Sequence, residues 1–145
     1  YGLEGALVLG PFLVQSEYLG ASVDTTFAGD REFDGWYVQS SYFLTSESRP
    51  YRTANGWFGT VKPKKNFSLG ADGGWGAWEV AARYSTLDLN DGIIRGGEET
   101  NYTLGLNWYL NPNTKLMLNY VRAYIEHDLY EGDLDIFQTR FQLNF

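Results

Sequence analysis

The chain has 145 residues, 18 of them acidic and 11 basic, and no cysteine, so it has no disulfide framework, thiolate metal site or cysteine nucleophile. Its 43% of hydrophobic residues never gather into the ~18–20 consecutive apolar positions of a spanning helix, which excludes a helical membrane protein. Aromatic residues make up 17% of the chain, with 11 Tyr, 9 Phe and 5 Trp, beside 17 Gly.

In chain order, strands are predicted over 3–9 (LEGALVL), 12–22 (FLVQSEYLGAS), 35–45 (GWYVQSSYFLT), 76–86 (GAWEVAARYST), 101–110 (NYTLGLNWYL), 115–125 (KLMLNYVRAYI) and 135–145 (DIFQTRFQLNF). Side chains alternate across a strand with period two, and these segments alternate in chemistry. In GAWEVAARYS, Trp78, Val80, Ala82 and Tyr84 share one side, while Glu79, Arg83 and Ser85 share the other. In NYTLGLNWYL, Tyr102, Leu104, Leu106, Trp108 and Leu110 oppose Thr103, Gly105, Asn107 and Tyr109. Along the last segment Phe137, Phe141, Leu143 and Phe145 lie together, interrupted only by Thr139, and oppose Gln138, Arg140, Gln142 and Asn144. No helical period competes, so the predicted class is all-β.

The expected connections are short turns at Gly10-Pro11 and Asn111-Pro112-Asn113, longer polar loops over about 23–34, 87–100 and 126–134, and one large insert at 46–75. Short turns at one end and longer loops at the other describe an antiparallel outer-membrane β-barrel, with an outward apolar band and a polar interior. A β-sandwich also alternates, so the aromatic residues have to separate the two. If the last strand runs toward the periplasm, Trp36, Tyr84, Tyr102 and Tyr124 fall near the outer ends of their strands. Phe12, Tyr42, Trp78, Trp108 and Phe145 then fall near the periplasmic ends. The strand middles carry Val38, Ser40, Val80, Ala82, Leu104, Leu106 and Leu118 instead. Two girdles of amphipathic rings flanking an aliphatic band fit a membrane wall, whereas a sandwich core gathers rings mid-strand.

Charge is divided along the chain. Thirteen of the acids stand in the three longer loops: Asp24, Asp30, Glu32, Asp34; Asp88, Asp91, Glu98, Glu99; Glu126, Asp128, Glu131, Asp133 and Asp135. Only Arg31 and Arg95 offset them there, and the remainder of the chain, with nine basic and five acidic residues, is net basic. Local sign matters more than total charge beside a narrow aqueous path, and Arg or Lys linings favour anions.

The stretches GWYVQSSYFLTSESRPY (35–51), GWFGTVKPKKNF (56–67), GAWEVAARYSTLDLND (76–91), NYTLGLNWYLNPNTKLMLNYVRA (101–123) and FQTRFQLNF (137–145) resemble the phosphate-selective porin O and P family. The resemblance covers most of residues 35–145. It implies a 16-stranded trimeric barrel of which this segment matches the C-terminal part, in keeping with seven strands being fewer than the ~8 of the smallest barrels. A chain that opens on Tyr1, with neither Met nor signal peptide, is expected to be processed or part of something longer. The resemblance further implies a bacterial outer-membrane channel for passive diffusion of anions, phosphate or polyphosphate, with no cofactor. Membrane lipid, lipopolysaccharide and the barrel-assembly machinery are the implied partners, the last reading Phe137, Phe141, Leu143 and Phe145 as an assembly signal.

Within this chain Arg83 and Arg140 are the inward-facing candidates for the anion path, against the alternative that each pairs with a carboxylate such as Glu79 or Glu17. Parity places Arg122 on the apolar side, costly at mid-membrane and nearly free at its edge; a bulge, a subunit interface or snorkelling would each accommodate it. The insert adds Arg49, Arg52, Lys62, Lys64 and Lys65 against Glu47 and Asp72, with Tyr51, Trp57, Phe58, Phe67 and Trp75. So many rings predict a packed segment at the barrel mouth, contributing cations to the anion path or serving as a periplasmic flap.

DLNDGIIRGGEE (88–99) partly matches a calcium loop through Asp88, Asn90 and Glu99, but its glycine falls at loop position five rather than six. Divalent ions bridging these acids to lipopolysaccharide and simple solvated loops are both readings of them. His127 is the only histidine and no nucleophile motif accompanies it, so an enzyme is not expected. No phosphate-binding glycine loop or nucleic-acid module is present either. The readings that compete with an anion channel are a general porin and a barrel kept for envelope structure or surface attachment.

Overall fold

Period-two segments separated by Gly, Pro and Asn turns fold as an antiparallel meander. The structure, a computed structural model, describes residues 1–26, 29–52, 56–70 and 73–145, except the side chains of Thr25, Arg52 and Trp57. Among the described residues nine strands follow one another: β1 (Gly2–Leu9), β2 (Phe12–Thr25), β3 (Gly29–Phe43), β4 (Tyr51–Arg52), β5 (Trp57–Phe58), β6 (Ala77–Asp91), β7 (Ile94–Asn111), β8 (Thr114–His127) and β9 (Tyr130–Leu143). Seven form a single sheet in the order β1-β2-β3-β6-β7-β8-β9, antiparallel at every step, with β1 and β9 at its edges. The two-residue strands β4 and β5 pair only with each other. Among the described residues there is no helix.

The seven strands are the expected seven, but longer. The segments 23–34, 87–100 and 126–134, expected as loops, are mostly paired strand: β6 and β7 run to Asp91 and Ile94, and β8 and β9 to His127 and Tyr130. Strands of 14–18 residues exceed the ~9–11 that a membrane requires, so these hairpins continue as polar ribbons beyond an apolar band. The ribbons are tied sideways by Arg31 to Asp91 and by Arg95 to Asp128, both at 3.6 Å.

Two faces result from the register. One carries Leu3, Leu7, Tyr42, Trp78, Val80, Leu104, Leu106, Trp108, Leu118, Phe137 and Phe141; the other carries Gln15, Gln39, Glu79, Arg83, Thr103, Asn107, Asn119, Gln138 and Arg140. Among the described residues no second sheet covers the apolar face, which leaves Leu104 59% and Phe137 80% exposed. A water-soluble sandwich does not leave such a surface open.

The small core lies on the polar face, at the end holding the Gly10-Pro11 and Pro112-Asn113 turns. Phe43, Val61, Ala77 and Tyr109 are buried together there under the segment joining β3 to β6. That segment re-enters the sheet through Gly76, whose φ of 71° is left-handed. A Cβ at Gly76 would collide with the Tyr109 carbonyl, so only glycine fits this entry to β6.

Candidate functional site

On the apolar face the rings form two rows. At the hairpin end Trp36, Tyr84, Tyr102 and Tyr124 form a continuous chain, with successive centroids 5.2, 5.0 and 6.0 Å apart. At the other end Trp78 and Trp108 stack at 4.9 Å with 16° between their planes, and Phe12 is paired in register with Tyr42. Trp36 and Tyr42, Trp78 and Tyr84, and Tyr102 and Trp108 are each six positions apart, about 20 Å along each strand. Phe145 follows the end of β9, beyond Asn144, whose N–H donates to the Asn113 carbonyl at 2.8 Å. Phe137, Phe141 and Leu143 line the exposed apolar face of edge strand β9.

Arg122 sits on this apolar face, directly across β7–β8 from Tyr102 in the upper row. It is paired there. Its guanidinium bonds Asp133 and, at 2.6 Å, Asp135, while the Tyr120 hydroxyl donates to the other Asp135 oxygen at 2.7 Å. No bulge interrupts the β8–β9 register at this point, so Arg122 is accommodated by neutralisation at a row of amphipathic rings.

The polar face is organised around Glu79, which is fully buried. One carboxylate oxygen accepts from Arg49 at 2.5 Å; the other accepts from the Tyr109 hydroxyl at 2.8 Å and from Asn107 Nδ2 at 2.9 Å. Arg49 also donates to the Tyr109 oxygen at 3.2 Å. Burial opposes the Arg49 charge most strongly, but the surrounding Tyr109 and Glu79 oxygens outweigh it and hold its pKa above the ordinary value. Glu47, also buried, closes the same segment on itself by accepting from Thr45 Oγ1 and from the Lys64 N–H.

The cations of this face divide into spent and available. Arg49, expected in the anion path, is committed to Glu79. Arg83 extends over the Tyr37 ring at 3.7 Å and donates to Gln39 at 3.4 Å. It does not pair with Glu79, nor does Arg140 pair with Glu17: among the described residues no carboxylate lies within 4.0 Å of Arg83, Arg140 or Lys115. Lys115, which sequence reasoning passed over, is opposite Tyr109 and 5.2 Å from its ring centroid. Parity alone would have found it, since it alternates with outward-facing Leu116. Through the register Lys115 is level with Tyr109, Arg140 with Asn107 and Arg83 with Thr103. These three cations thus climb the face in steps of about 7 and about 14 Å. Beside Arg83, between the insert residues Arg49 and Phe58 and the sheet, lies a cavity of about 240 Å³ lined in part by Gln15, Gln39, Asn107 and Asn119.

Lys62, Lys64 and Lys65 are exposed at the rim, just past buried Val61. The Arg52 and Trp57 side chains and Asp72 lie outside the described residues. Asp88, Asn90 and Glu99 are not brought together as a calcium loop. Asp88 is paired in register with Glu98 and Leu87 with Glu99, so Asp88 and Glu99 point to opposite faces. The Asn90 side chain instead accepts from the Gly97 N–H at 2.9 Å within the hairpin. Among the described residues no cluster of His, Asp or Glu is arranged to hold a metal ion.

A twisted antiparallel sheet with a wide uncovered apolar band between two ring rows and a polar opposite face is part of the wall of a transmembrane β-barrel; seven strands do not close it. The family model of phosphate-selective porins O and P matches residues 1–145. Porin O of Pseudomonas aeruginosa is 35% identical over an alignment covering all of this chain and 35% of that protein. An uncharacterized protein of Caulobacter vibrioides is 36% identical over 83% of the chain and 23% of its own length. The chain belongs to the phosphate-selective porin O and P family, and spans about a third or less of these relatives.

Proposed function

We propose that this chain forms the C-terminal part of the wall of a bacterial outer-membrane porin, through which anions, phosphate among them, diffuse passively. The observation that carries this reading is the ascending set Lys115, Arg140 and Arg83 on the polar face, unpaired with carboxylate among the described residues, while buried Glu79 is consumed by Arg49. Cations held against a low-dielectric wall present their field to the aqueous side, where it concentrates anions. The channel is passive: no step in it requires a cofactor or a reaction. Lys62, Lys64 and Lys65 stand at the mouth on the insert side, which is the periplasmic end if β9 runs toward the periplasm. The ring rows then mark the two membrane interfaces, and the polar ribbons project among lipopolysaccharide. A homotrimer, and recognition of the β9 apolar residues by the assembly machinery, complete the proposal.

The test is the zero-current potential of the full-length protein in a planar bilayer under a KCl gradient, repeated with phosphate. The expected sign is that of anions, with phosphate reducing the chloride current. Replacing Lys115, Arg140 and Arg83 by Gln moves the potential toward zero, the triple variant furthest. An anion-signed potential without block by phosphate makes this a general anion porin. A cation-signed potential rejects the anion path.

A further inference from the structure

The segment between β3 and β6 does not stay on one side of the sheet. Its first half is seated on the polar face, where Arg49 meets Glu79 and Val61 meets Phe43, Ala77 and Tyr109. Its second half is on the apolar side. The Phe67 N–H donates to the Leu110 carbonyl at 2.7 Å, and its ring stands edge-on to Trp108 at 4.9 Å and 75°. Trp108 and Trp78 alternate with Tyr109 and Glu79, so they project from the opposite face. Both indole N–H groups donate to one acceptor, the Trp75 carbonyl, at 2.8 and 3.1 Å. The chain therefore crosses the rim between Val61 and Phe67, over the stretch that holds Lys62, Lys64 and Lys65.

This corner exposes apolar surface that no other described residue covers: Leu69 is 93% and Trp75 78% exposed. We propose that Phe67, Leu69 and Trp75 form a wedge in the phospholipid interface of the periplasmic leaflet, and that Lys62, Lys64 and Lys65 meet acidic headgroups at its edge. The inference rests on the barrel reading and adds a lipid contact to it. Three observations favour lipid over a second copy of the chain. The wedge continues the apolar band without a break, through the Phe67–Trp108 contact. The Trp78 and Trp108 donors are satisfied internally, so those rings enter an apolar layer without leaving a polar group unpaired. The lysines described at its edge, Lys62, Lys64 and Lys65, are exposed and attract an acidic headgroup surface.

The chain's lack of cysteine allows a direct test. Leu69→Cys, in the full-length protein on a background free of other cysteines, carries a nitroxide and is reconstituted in vesicles containing an acidic phospholipid. Power saturation compares collision with oxygen, which concentrates in lipid, against a water-soluble nickel chelate. The expected oxygen-to-nickel ratio at position 69 is several-fold above that of a label in free solution. A second label, at Leu104→Cys in the middle of the apolar band, tests the barrel reading by itself. Lipid exposure at 104 with water exposure at 69 overturns the wedge and leaves the barrel standing. Water exposure at both overturns the two together. A label at 69 that is immobilised and shielded from both reagents puts a protein neighbour there and overturns the lipid assignment.

Discussion

Two arginines in this molecule have the same chemistry and opposite settings. Arg49 and Arg122 each bond a carboxylate that a tyrosine hydroxyl also serves, Tyr109 in one case and Tyr120 in the other. Arg49 closes a contact across 30 residues onto a Glu79 with no exposure, beneath a packed insert. Arg122 joins neighbouring strands on the open face, and its partners remain about half exposed. The first pair fastens one segment to another; the second neutralises a charge where the sequence had no choice of face. A buried pair that is broken leaves an uncompensated charge, whereas an exposed pair contributes little.

The largest expected effect therefore comes from Glu79→Leu, which strands Arg49. About 3 kcal/mol is expected, the low end for breaking a buried pair because Arg49 keeps some contact with water. It should be visible as a lower urea midpoint for the folded full-length protein in detergent and as new protease cleavage within residues 44–76. Arg49→Met with Glu79→Leu should recover most of the loss. A single variant no worse than the double would mean that the pair does not hold the insert. A smaller drop in the same midpoint is expected from Asp133→Asn with Asp135→Asn, which leaves Arg122 on the apolar face without a partner. A drop equal to that of Glu79→Leu would place Arg122 in a protein contact rather than at a lipid edge.

The smallest effect has the opposite sign. Asp88, Glu98, Glu126 and Glu131 are directly opposed across four adjacent strands, and like charges in that relation repel. Glu126→Gln should raise the thermal midpoint slightly at low ionic strength, and the gain should vanish in high salt. A gain that survives high salt would show that charge repulsion is not its source.

These residues also show what could be seen in the sequence beforehand. Wherever one face is apolar, the period of two exposes the strand and its facing, and so Trp78, Val80 and Tyr84 separate from Glu79 and Arg83. The same rule put Arg122 on its actual face. Beyond the apolar band both faces turn polar, the alternation disappears, and the ribbons around Asp24, Glu98 and Glu131 resemble loops although their ladders continue. The candidate site was less legible, because charge pairing is long-range. Nothing near Arg49 in sequence announces Glu79, 30 residues away, and so a spent cation could not be told from an available one. The passage of the insert from one face to the other was hidden for the same reason: Phe67 and Trp108 are joined by packing, 41 positions apart in the numbering.

The strand order has an arithmetical consequence. With antiparallel pairing at each of six steps, β1 and β9 run in the same direction. Bringing those two edges together directly would create a parallel ladder, which outer-membrane barrels of bacterial single-chain type do not use. Any set of strands that closes this sheet by antiparallel pairing must therefore be odd in number, whatever its sequence, and the completed ring even.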